Sequence, residues 1–229
     1  MLWQWENSGE NGGRQVFILD LDGTLMPSAD IDNVCYWQAV YECYELPQRL
    51  PDLHDFNNVT DSSILDEWCV RQLGRSPHED EVNLIKLRFV ELLETAHAEQ
   101  PRHFTTLPGV VQWLQAVSKQ PHIFTGIATG GWELSARLKL KLSGLERFDL
   151  PLASSDDALT RTGIMQTALK RTVELQGSDQ PLISYVGDGA WDLQASRQLG
   201  WRFIAIASGD LAGQFRLSGA DQIRTDFRK

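Results

Sequence analysis

Five short apolar runs, at 16–19, 123–128, 150–153, 182–186 and 202–207, restrict the fold of this chain more than any other feature. Each of the last four lies beside a helix-length segment. Residues 107–117 read as a helix with Pro108 at its start, and 132–142, 162–175 and 190–199 as helices stopped by Gly144, Gly177 and Gly200. Strands that are apolar throughout are covered on both faces, and strands joined through helices pair in parallel. The spacing therefore predicts an α/β fold, a doubly wound parallel sheet. Right-handed crossovers would bring the C-terminal ends of its strands to one edge, where such folds bind ligands.

One stretch breaks the alternation. Between the first two strands the chain carries three helical patterns and no strand. Val34, Trp37, Val40, Tyr41 and Tyr44 recur at helical spacing, as do Ile64, Leu65, Trp68 and Cys69. Val82, Ile85, Phe89, Leu92, Leu93 and Ala96 form the clearest stripe, in a helix expected to start near Ser76 and Pro77. Residues 30–104 are thus expected to be a helical insertion above the sheet edge, on a core made of 14–29 and 105–229. The stripes themselves read as packing within the insertion.

The chain has 229 residues, 42% hydrophobic, with a formal net charge of −10. That charge argues against nucleic acid or an anionic membrane as the main partner. No apolar run reaches the length of a membrane span, and residues 1–13 lack the features of a signal peptide. Cys35, Cys43 and Cys69 have neither disulfide-framework nor zinc spacing, so reduced, buried thiols in a cytoplasmic protein are expected. Trp3 and Trp5 stand in a polar leader whose role the residues do not disclose.

Chemistry concentrates where the strands end. Directly after the first strand come Asp20-Leu21-Asp22-Gly23-Thr24. Side chains two apart on an extended segment share a face, so both carboxylates can enter one small space. They repel unless a cation lies between them or one keeps its proton. A hard, oxygen-ligating Mg2+ suits the first outcome, and the pair then suits nucleophilic attack on phosphorus with proton transfer. Past the second strand, Thr129-Gly130-Gly131 offers a hydroxyl and open backbone N–H groups at a helix start. Past a later strand, Asp188 can reach a metal and Asp192 can brace the loop. A fixed cation would complete such a site. Arg161, at the end of a strand-to-helix loop, and Lys170, two turns further on, are the candidates, with Arg161 the better placed.

Taken in order from Arg14 to about Ala207, these features resemble the four motifs of the haloacid dehalogenase-like (HAD) hydrolases. The insertion resembles the α-helical cap of the phosphoglycolate phosphatase and β-phosphoglucomutase branch, on a Rossmann-like core. The resemblance implies a phosphatase acting on a small phosphorylated metabolite through an aspartyl-phosphate. Asp20 would be the nucleophile and Asp22 the acid and base. Asp20, Asp188, Asp192 and the backbone carbonyl of Asp22 would surround Mg2+. Phosphate would be held by Gly23, Thr24, Thr129, Gly130 and Arg161. The chain departs from the branch at the third motif, where Arg161-Thr162 replaces the usual Lys-Pro. An arginine keeps the charge and adds a two-pronged grip. The rival readings are a phosphomutase of the same branch, a receiver-type phosphoacceptor module, and a HAD-like scaffold that only binds. Cap residues Arg49, His54, Arg71, Arg75 and Arg88 could read a substrate's charge or be solvated surface groups.

Overall fold

The structure is a computed structural model that describes residues 13–174 and 180–228. The leader tryptophans Trp3 and Trp5, and the helix stop expected at Gly177, lie outside these residues. The chain runs β1 (Gln15–Leu19), α1 (Ala29–Cys43), α2 (Asp61–Leu73), α3 (Glu79–Glu99), α4 (Val110–Val117), β2 (Ile123–Ala128), α5 (Glu133–Leu142), β3 (Leu152–Ala153) and α6 (Arg161–Thr172). It continues through β4 (Leu182–Gly187), α7 (Ala190–Leu199), β5 (Arg202–Ile206), α8 (Gly209–Leu217) and β6 (Gln222–Arg224). The six strands form one sheet in the order β3-β2-β1-β4-β5-β6, and every pair is parallel.

Register explains where the site falls. Leu19 lies beside Ile127 of β2 and Val186 of β4, so the three strands end abreast. Chain order reverses on either side of β1, which opens a crevice at its C-terminal end. Asp20, Thr129 and Asp188 leave the sheet at that crevice.

Alternation along the strands builds two cores. Phe17, Leu19, Ile127, Val186 and Ile204 face α4 and α5, with Trp113 of α4 edge-on to Phe17. Val16, Ile18, Tyr185, Phe203 and Ala205 face α6, α7 and α8. A third apolar cluster joins α1, α2 and α3 through Trp37, Tyr41, Trp68, Ile85 and Phe89. Trp132, at the start of α5, is fully buried in that cluster and stands 5.3 Å from Tyr36. The sheet's own polypeptide thus anchors the helical insertion.

Several boundaries differ from the sequence expectation. α4 begins at Val110 because Gly109, at φ 87°, turns the chain where a Cβ would meet the Phe227 backbone at 2.5 Å. Pro108 therefore precedes the helix. α3 begins at Glu79, not near Ser76, since the Glu81 carboxylate accepts the His78 N–H at 2.7 Å. α6 stops at Thr172, and β3 has two residues instead of four. α8 and β6 extend the sheet beyond the last run read from the sequence. Cys35 and Cys69 are buried free thiols, whereas Cys43 is half-buried. Among the described residues no helix is long and apolar enough to cross a membrane.

Candidate active site

The β1 loop separates the two motif aspartates. Asp20 is buried, and its N–H donates to the Val186 carbonyl at 2.9 Å, which continues the sheet by one residue. Gly23 has φ 76°, and a Cβ there would lie 1.9 Å from Asp188 Oδ2. Only glycine lets this loop cross so close to the next strand's carboxylate. Thr24 Oγ1 donates to Asp188 Oδ1 at 3.3 Å and approaches Asp20 Oδ2 at 3.5 Å. Asp22 turns its carboxylate elsewhere, accepting from Ser28 Oγ and from Lys139 Nζ, each at 2.5 Å.

Thr129 is buried at the end of β2. Its Oγ1 accepts the Gly131 N–H at 3.1 Å, leaving the hydroxyl proton to donate into the cavity it lines. A Cβ on Gly130 would meet Arg161 Nη1 at 2.9 Å, so the open backbone here also makes room for that guanidinium.

Arg161 opens α6 and reaches into the strand-end cluster. Its Nη1 lies 3.4 Å from Asp20 Oδ1, and its Nε 3.0 Å from Asp192 Oδ1. Lys170 sits exposed further along the same helix. Asp192 is fully buried, and its Oδ2 accepts the Gly189 N–H at 3.0 Å, so it braces the loop that presents Asp188. Burial acts against the guanidinium's charge, but Asp192, Tyr185 and Asp20 outweigh it and hold Arg161 above its usual range. Burial pushes the Asp20 carboxyl well up, and Asp192 adds repulsion that Arg161 only partly relieves. Asp188 is raised to about 7, by burial first and then by Asp192. Three carboxylates around one arginine hold excess negative charge.

This set fits a hard divalent cation. Single oxygens of Asp20, Asp188 and Asp192 all lie within 4.8 Å of one another. Asp192 Oδ1 is buried and lacks an aligned hydrogen bond despite its nearness to Arg161. Oxygen donors of this kind suit Mg2+. The Asp22 carboxylate stands apart from the set.

Three residues that the motifs did not disclose shape the same place. Lys139 of α5 is completely buried, with Nζ 2.5 Å from Asp22 and 2.6 Å from Asp32 of α1. Burial works against its charge, yet the two carboxylates hold it above its usual range. Asp32 is raised to about 7, by burial first and then by Asp22, against the pull of Lys139. Asp61 opens α2, where Oδ2 accepts the Trp132 N–H at 2.9 Å and its own N–H donates to the Gly130 carbonyl at 2.8 Å. Burial drives its carboxyl well up. The sequence pointed away from Lys139, because Leu134, Leu138 and Leu142 form the apolar row that helical spacing offers. Only the structure shows that Lys139 shares the buried face of α5 with Ser135, Ala136 and Leu140, where a lysine is out of place without a partner. Asp32 has no sequence signal either, because an acid in a helix's first turn is ordinary. A cavity of about 260 Å³ opens above this cluster, between the strand ends and α1 and α2.

Comparison with known proteins follows the same outline. The model of a family described as haloacid dehalogenase-like hydrolase matches residues 17–206. Among solved structures, a hydrolase from Pseudomonas syringae is 21% identical, with TM-score 0.68 over 93% of this chain and 94% of that one. A CbbY variant from Rhodobacter sphaeroides, in complex with xylulose-1,5-bisphosphate, is 18% identical, with TM-score 0.65 over 93% and 95%. A putative β-phosphoglucomutase from Bacteroides vulgatus is 18% identical, with TM-score 0.65 over 95% and 86%. No curated protein matches the chain.

Proposed function

The chain belongs to the haloacid dehalogenase-like hydrolases, and on that premise we propose that it is a Mg2+-dependent phosphatase of small phosphate monoesters. The observation that carries the reading is the convergence of Asp20, Asp188, Asp192 and Arg161 at one sheet edge, with Asp22 beside them in the same cavity.

Asp20 is the nucleophile. One of its carboxylate oxygens attacks phosphorus in line with the ester oxygen, and the phosphorus–alcohol bond breaks as the aspartyl-phosphate forms. Asp22 delivers a proton to the departing alkoxide. It then takes one from the water that attacks phosphorus, breaks the Asp20–phosphorus bond and releases inorganic phosphate. Ser28 suits this double duty, since its hydroxyl donates to an ionised Asp22 and accepts from a protonated one. Lys139 fixes the other oxygen of Asp22 and keeps the carboxyl in place between the two half-reactions. Arg161 and the Thr129 hydroxyl hold phosphoryl oxygens as charge builds on them. Asp20, Asp188 and Asp192 would hold Mg2+, with the Asp22 backbone carbonyl. The ion would offset their excess charge and grip a phosphoryl oxygen. The insertion, through Leu53 and Val59 before α2 and Ile64 within it, would close the cavity with apolar wall and limit stray water.

Phosphate release from p-nitrophenyl phosphate, with and without Mg2+, tests this for the wild type and for Asp20→Asn. Metal-dependent turnover that falls at least about a thousandfold in the variant is expected, as for a lost nucleophile. Wild-type turnover indifferent to Mg2+ or to the substitution would reject it.

A further inference from the structure

Charge around the cavity is one-sided. Besides the motif aspartates, its wall contains Asp30, Asp32 and Asp61, all brought by α1 and α2. Among the described residues that line it, Arg161 is the one cation, and Asp20 and Asp192 already engage it. Lys139, behind the wall, is held between Asp22 and Asp32.

The basic residues of the insertion do not make up the deficit. Arg71 pairs with Glu67, Arg75 with Glu81, and Arg88 with both Glu42 and Glu91, all in exposed ion pairs. Lys86 pairs with Asp156 above the Trp132 ring. None of these lines the cavity, nor does Arg49. His54 lines a neighbouring cavity, its ring 6.2 Å from that of Trp191.

We propose that this site selects phosphate monoesters whose leaving alcohol carries no second anionic group. The inference rests on the phosphatase reading and narrows its substrate class. The transferring phosphoryl group would have Arg161 and a cation held by Asp20, Asp188 and Asp192 to receive it. A second phosphate or a carboxylate on the leaving alcohol would instead meet Asp30, Asp32 and Asp61 with no free counter-charge. In a partly desolvated cleft, like charges a few ångströms apart are poorly screened and reject a ligand. Protonation of Asp32 or Asp61 removes repulsion but supplies no positive partner, so the discrimination survives it. Hydroxyl and ammonium groups fare differently. Both donate hydrogen bonds, and carboxylates are acceptors for them. Asn33 adds a neutral partner on the same wall.

Three two-carbon esters isolate charge from size: ethanolamine phosphate, 2-hydroxyethyl phosphate and 2-phosphoglycolate. Each is tested as a substrate and as a competitive inhibitor of p-nitrophenyl phosphate hydrolysis, with excess Mg2+ at fixed ionic strength. For 2-phosphoglycolate, kcat/KM is expected at least about tenfold below that of 2-hydroxyethyl phosphate, and Ki correspondingly higher. Ethanolamine phosphate should equal or exceed the neutral ester. Asp30→Lys, at an exposed position on the rim, should raise the 2-phosphoglycolate to 2-hydroxyethyl phosphate ratio several-fold. Equal constants for the three esters, or a preference for 2-phosphoglycolate, overturn the proposal. Failure to hydrolyse p-nitrophenyl phosphate itself would instead overturn the phosphatase reading beneath it.

Discussion

Two buried cations stand on either side of the motif aspartates, and their surroundings differ. Arg161 faces three carboxylates that come from β1, from the end of β4 and from α7, all parts of the sheet domain. Lys139 faces two, one from the β1 loop and one from the first turn of α1. The first cluster has more negative charge than its cation can balance, so it is built to receive a further positive group. The second is closer to self-sufficient and ties the sheet to the helical insertion. On the proposed phosphatase reading, catalytic charge handling and mechanical attachment divide between two ion clusters that share the loop carrying Asp20 and Asp22.

If that division is right, removing each cation must have a different signature. Arg161→Ala should have the largest effect on chemistry, lowering kcat for p-nitrophenyl phosphate by roughly a hundred- to a thousandfold. Its effect on stability should depend on the metal, because Mg2+ can take over part of the charge balance. Arg161→Lys should recover only part of the rate, since a lysine restores the charge without the fork that spans Asp20 and Asp192. Equal activity for the lysine and arginine enzymes would show that reach is irrelevant here.

Lys139→Met should act first on stability. Removing one partner of a buried ion cluster typically costs about 3–5 kcal/mol, because the remaining charges are left unpaired. Asp32 can relieve part of that cost by holding a proton, so the loss should be greater at pH 8 than at pH 6. Adding Asp32→Asn should restore most of the urea midpoint, as coupled neighbours do not add independently. A simple sum of the two single losses would break the link between α5 and α1 proposed here.

The Arg161 cluster should also respond to pH when metal-free. Asp20 and Asp188 keep their protons in the folded state to higher pH than in the unfolded chain, Asp188 to about 7. Between the ordinary carboxylate range and about 7 the folded state therefore binds more protons, and stability falls as pH rises. Mg2+ should flatten this slope by favouring the ionised carboxylates. Urea midpoints at a series of pH values, with Mg2+ or with a chelator, measure it. A metal-free slope of opposite sign would mean that these acids are already ionised in the apo fold.

Much of this arrangement was legible before the structure, for identifiable reasons. The strands could be read because β1, β2, β4 and β5 are central and nearly continuous in apolar residues, and their shared register then fixed what meets at the edge. β6 escaped notice because an edge strand of three half-buried residues has no such run. Asp20, Asp22, Thr129 and Asp188 stand just past strand ends, where topology alone makes them neighbours, and Arg161 reaches them from the start of α6. Lys139 and Asp32 are far apart in sequence and meet only because α3, packed on both α1 and α5, brings the two helices together. Short motifs do not encode that meeting; it is a product of how the insertion docks. The insertion's arginines show the converse, since their sequence spacing could not reveal that glutamates on the same surface already pair with them.

The smallest expected effect concerns Ser28, the second partner of Asp22 in the Lys139 cluster. Ser28 is fully buried and donates to Asp22 Oδ1, while Lys139 occupies Oδ2. Ser28→Ala removes one hydrogen bond to a carboxylate that keeps a stronger, charged partner, so stability should fall by only about 1–2 kcal/mol. Its effect on catalysis should be confined to proton transfer. The hydroxyl can follow Asp22 between its protonated and ionised forms, whereas the ammonium of Lys139 can only favour the ionised one. Esters with a poor leaving group, such as 2-hydroxyethyl phosphate, need that proton and should slow several-fold. p-Nitrophenyl phosphate, whose phenolate departs without one, should slow less. An equal loss on both substrates would reduce Ser28 to a packing residue and leave Lys139 as the sole anchor of Asp22.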